Sequence, residues 1–194
     1  MDRREALRRT ALLMGGAVSA PAIAGILKGC KAKPGVDWNP VFLQQDQASV
    51  ISTVSEIIIP RTDTPGARDV GVPAFIDQML KDVYSEDDQK FFIDGLNAFN
   101  EQARQEYGDD FADLDEADQA AFVKKVHDAA IETERTTDPP PKRPFILMMK
   151  ELTMLGFFTS EVGATQVLQY DPVPGAYNGC IPLSEAGDGR TWAT

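Results

Sequence analysis

One imidazole, two thiols and an acidic run are the side chains of this 194-residue sequence with the most evident chemistry. His127 is the only imidazole available as a base, yet it lies in a helical stretch with no Gly-x-Ser-x-Gly elbow, which points to a helix-surface role rather than a hydrolase triad. Cys30 and Cys180 are too few and too far apart for an iron–sulfur cluster or a cysteine-rich zinc site, and no Cys-x-x-Cys-His attaches haem. The acidic run from Asp109 to Asp118 lacks the glycine and the terminal glutamate of a calcium loop, so it reads as a solvated connection with helix-capping aspartates. No glycine-rich phosphate loop follows a strand. The expectation is a chain with no catalytic residue, no metal and no cofactor of its own. Scattered carboxylates such as Glu151 and Glu161 support only a weaker, enzymatic alternative.

The amino terminus decides which residues belong to the fold. Arg3 and Arg4 stand side by side ahead of an uncharged run, "TALLMGGAVSAPAIAGIL", a layout that predicts a twin-arginine export signal. The run is rich in Gly and Ala and falls short of the ~20 strongly apolar residues of a stable span, so it reads as a signal in preference to a permanent transmembrane helix. Leu27, Gly29 and Cys30 then resemble a lipobox, with Lys28 departing from its pattern, and "KAKPG" supplies a flexible tether. A lipidated Cys30 would hold the chain at the membrane; the alternative is a plain exported cysteine. In the first case Cys180 is left buried or bridged to another chain, and in the second the two cysteines can pair with each other.

The domain expectation is thus a signal over 1–29, a tether over 30–39 and one helical domain over 40–194. The sequence carries a formal net charge of −11 at pH 7, and removing the basic leader makes the remainder more acidic. Such a surface repels phosphate backbones, which excludes nucleic acid as a partner.

Apolar residues recur at helical spacing and nowhere alternate as in strands, so the fold class is all-α: one compact domain of five to six helices with an irregular C-terminal tail. The spacing predicts helices over 40–59, 72–84, 86–107, 116–134 and 144–158, and a shorter one over 160–168. Gly108 ends the third and Asp115 caps the fourth. The fifth, "FILMMKELTMLGFF", is apolar throughout and is expected at the centre. The tail "YDPVPGAYNGCIPL" is punctuated by prolines and glycines and cannot be regular.

Between the first two helices lies "PRTDTPGARDVG". Pro60 stops a helix, Thr62, Asp63 and Thr64 can bond nearby amides, Pro65 and Gly66 favour a tight turn, and Gly71 permits another before Pro73 opens the next helix. These residues predict a rigid corner that fixes the angle between two core helices.

Two stretches, "IIIPRTDTPGARDVGVPAFID" (Ile57 to Asp77) and "LTMLGFFTSEVGATQVLQYDPVPGAYNGCIPL" (Leu152 to Leu183), resemble the gluconate 2-dehydrogenase subunit 3 family, the small subunits of membrane-associated flavin-dependent sugar and sugar-acid dehydrogenases. The resemblance implies an accessory role. The family's large subunit binds FAD and oxidises the substrate, a multihaem cytochrome c commonly passes the electrons on, and the small subunit carries the export signal and supports maturation of the large one. It implies a periplasmic location, with membrane attachment through Cys30 or a partner. It also implies that the corner (Pro60, Thr62, Asp63, Pro65, Gly66) and the tail (Tyr170, Pro174, Tyr177, Cys180) form the partner interface. The rival reading is a stand-alone exported helical lipoprotein that binds another envelope protein.

Overall fold

The computed structural model describes residues 36–139, 142–170, 173, 175, 180–185 and 189–193. Among them the fold is all-α, as expected: α1 (Gln45–Ile58), α2 (Val72–Asp82), α3 (Glu86–Tyr107), α4 (Glu116–Thr136) and α5 (Phe145–Phe158). Short 3-10 turns at Phe111–Asp113 and Leu183–Glu185 and a π-helical turn at Gly163–Val167 complete it. The expected leader, with Arg3, Arg4 and Cys30, lies outside the described residues. None of the described helices is long and apolar enough to cross a membrane.

Local chemistry accounts for the helix ends. Ser85 Oγ accepts the Asp88 amide at 3.2 Å to open α3, and Gly108, with φ 88°, closes it by donating to the Arg104 carbonyl. Asp115 caps α4 by accepting the Asp118 amide at 2.9 Å. The first helix begins five residues later than its apolar spacing predicts. The cause is tertiary: the amides of Val41, Phe42 and Leu43 donate to the carboxylate of Asp77 on α2, at 2.6, 3.1 and 2.8 Å. Asp77 is 1% exposed, so three otherwise unpaired amides and one buried acid satisfy each other.

The apolar fifth helix is central. It packs against each of α1, α2, α3 and α4, burying Phe145, Ile146, Leu147, Met149 and Leu152. Phe145 meets Phe92 and Phe99 at ring-centroid distances of 5.1 and 5.4 Å, and Phe99 meets both Phe111 and Phe122 at 4.9 Å. These are edge or tilted contacts, the arrangement that ring quadrupoles favour. The cluster ties α3, α4, α5 and the first 3-10 turn into one core.

The short helix expected over 160–168 is present at 161–167, but it widens to a π-helix at Gly163–Val167. Ser160 Oγ accepts the Gly163 amide at 3.1 Å and donates to the Phe157 carbonyl at 2.6 Å, so the chain bends, and Leu168 donates to Gly163 five residues back. Beyond it the described residues form no further α-helix, and the far end returns. Gln169 donates to the Thr191 carbonyl at 2.9 Å and accepts the Ala193 amide at 2.8 Å, while its side chain donates to the Arg190 carbonyl.

Candidate functional site

The corner between α1 and α2 is built around two carboxylates. Glu56 occupies the last turn of α1, where the helix dipole disfavours negative charge. Its Oε1 accepts the Arg61 amide at 3.0 Å and its Oε2 accepts the Arg68 amide at 2.9 Å, so one side chain binds both ends of the loop. Asp69 is the second centre: it accepts the Gly66 amide at 2.9 Å and takes both Nε and Nη2 of Arg61 in a two-pronged ion pair. The Arg61 hydrogen bond, followed by the Gly66 amide, holds the Asp69 carboxyl below its ordinary 3.8.

Backbone contacts complete the turn. The buried Ala67 donates to the Ile59 carbonyl at 2.8 Å and accepts the Val72 amide at 3.1 Å. A Cβ on Gly66 would lie 2.4 Å from Glu56 Oε1 and 2.6 Å from the Arg61 nitrogen, so only glycine allows the carboxylate to reach its amides. Gly71, at φ 77°, supplies the left-handed step ahead of α2, and Pro73 follows inside the first turn.

Of the predicted interface residues, Pro60, Thr62 and Asp63 stand exposed at the crest of the corner and Pro65 is half-buried beside them. Gly66 is buried, so it shapes the corner from within. The Thr62 amide donates to the Thr64 carbonyl at 3.0 Å, which makes the crest a tight turn. In the tail, Tyr170 is 60% exposed, and Cys180 is exposed and, among the described residues, a free thiol. Pro174 and Tyr177 lie outside the described residues.

Sequence reasoning missed Glu56, Arg61, Asp69 and Asp77. Two carried a legible signal: Glu56 is an acid at the wrong end of a helix, and Asp77 interrupts the apolar stripe of α2. The candidates for chemistry are placed as follows. The His127 ring contacts Asp128 and Lys150, Glu151 is paired with Arg143, and Glu161 is exposed. No group of three or more His, Cys, Asp or Glu side chains among the described residues is arranged to hold a metal ion.

The family model for gluconate 2-dehydrogenase subunit 3 matches residues 45–175, from the first residue of α1 through the corner and α5 into the tail. The chain belongs to the gluconate 2-dehydrogenase subunit 3 family. It is therefore an accessory subunit of a gluconate 2-dehydrogenase type of complex. Within this subunit the match takes in the whole corner and Tyr170, and stops short of Tyr177 and Cys180. No curated protein and no solved structure matches the chain.

Proposed function

We propose that this chain is the non-catalytic small subunit of an exported, membrane-associated, FAD-dependent gluconate or sugar dehydrogenase. In this reading it supplies the twin-arginine signal, Arg3 and Arg4, for itself and for a large subunit that crosses already folded. The observation that carries the proposal is the family match over 45–175, which spans the prebuilt corner. The flavin is assigned to the large subunit.

Docking falls to the corner crest and the tail. A loop fixed by Glu56 and Asp69 loses little conformational freedom on binding, and Tyr170 and Tyr177 offer large, rigid contact area for the same reason. A multihaem cytochrome c is the further partner assigned to the complex, and a lipidated Cys30 its tether in the periplasm.

The test is export. In cells making both subunits, Arg3→Lys with Arg4→Lys should move flavin-dependent dehydrogenase activity from the envelope to the cytoplasm. Unchanged envelope activity removes the export role. Tyr170→Ala with Tyr177→Ala, in a chain that stays folded, should weaken recovery of the large subunit.

A further inference from the structure

Where α1 runs into the corner, α1, α4 and α5 enclose a groove of about 260 Å³. Its apolar lining is Ile57 and Ile58 from the end of α1, Val123 from α4 and Ile146 from α5. Its rim is basic: Lys124 and His127, one helical turn apart on α4, face Lys150 on α5. In a chain with 30 acidic and 19 basic residues, a basic rim on an apolar slot runs against the general surface.

The rim cations are not equally engaged. Lys124 is paired with Asp128, which also lies 3.3 Å from His127 Nδ1. Lys150 has no carboxylate in ion-pair reach among the described residues; its Nζ contacts His127 Nε2 at 3.1 Å. An ammonium can only donate, so His127 Nε2 is the acceptor in this contact. The ammonium is half-buried, keeps two donor positions, and stands at the mouth of a slot with nothing anionic opposite.

We infer that this groove binds a free aliphatic monocarboxylate, its chain among the isoleucines and its carboxylate on Lys150. The volume selects a short chain: at about 30 Å³ per water-sized group, it holds roughly eight to nine such groups. The charge selects an acid over an alcohol: both can accept from the ammonium, but only with the carboxylate are donor and acceptor both ionised, which makes the stronger bond, roughly tenfold in affinity.

His127 is the single histidine of the chain, so its ring resonances report on the rim without ambiguity. The experiment titrates the full chain with sodium octanoate and, separately, with 1-octanol, following the His127 ring and the isoleucine methyl groups by NMR. Octanoate should give saturable shifts at both, with octanol bound about tenfold more weakly. Lys150→Gln should abolish that preference and Lys150→Arg should retain it. Ala120→Phe, at an exposed lining position, should block both ligands while the thermal midpoint stays near that of the wild type. Absence of octanoate shifts at His127, equal binding of acid and alcohol, or a preference that survives Lys150→Gln would each overturn the inference.

Discussion

Glu56, in the last turn of α1, accepts the backbone amide of Arg68 at 2.9 Å across twelve residues of sequence. With its second bond to the Arg61 amide it encloses the loop between two core helices, so the corner is organised by a helix side chain. Glu56→Gln keeps the size but leaves one carbonyl oxygen to serve two amides. The expected loss is about 1–2 kcal/mol by urea denaturation, with faster hydrogen exchange at Arg61 and Arg68 while α5 amides are unchanged relative to global stability.

The two corner glycines should differ in kind. Gly66→Ala drives a methyl group into the Glu56 carboxylate and the Arg61 amide, and overpacking of that sort costs about 1–3 kcal/mol. Gly71→Ala meets no atom within 4 Å but must hold φ 77°, a left-handed strain of about 1–2 kcal/mol. Gly66→Ala should alter the Glu56-bonded amide shifts, whereas Gly71→Ala should leave them in place. Matching spectra for the two variants would contradict this.

Asp77 is the more costly acid to replace. Its carboxylate is buried and serves three amides, so Asp77→Asn turns an acceptor edge into a donor facing donors. The expected loss is about 2–4 kcal/mol, larger than at Glu56 because solvent cannot substitute for the missing bonds. Chemical denaturation of the two variants side by side checks the order.

The Asp69–Arg61 pair gives a pH signature. The folded-state pKa of Asp69 is lowered from 3.8, so its stabilising contribution is fully present above that value and is lost as pH falls through the lower, folded one. The stability difference between the wild type and Asp69→Asn should therefore be constant near neutrality and shrink only in strong acid. A difference that vanished already between pH 7 and pH 5 would contradict the assignment.

Helices marked by their own ends were readable in the sequence. Ser85, Gly108 and Asp115 act within three or four residues of what they cap, and the apolar run of α5 could only be central. What escaped were bonds between distant positions. Asp77 withdraws Val41 to Leu43 from α1 across more than thirty residues, and no local pattern discloses that. Ser160 and Gly163 redirect the last turn through a side chain that periodicity counts as neutral. The corner was legible as a rigid turn from Pro60, Pro65 and Gly71, and Glu56 stood out as an acid at the end of a helix, but its partners are backbone amides, which carry no residue signature, and Asp69 pairs with Arg61 eight residues away.

As a member of the gluconate 2-dehydrogenase subunit 3 family, this chain should travel with a larger partner, and the proposed partner is a flavoprotein. The measurement that tests it most directly is affinity capture of the chain from gently detergent-extracted envelopes, with a visible spectrum and mass identification of what accompanies it. A flavin spectrum and one large companion polypeptide are expected. A colourless chain captured alone, from cells that express a neighbouring flavoprotein gene, would contradict it.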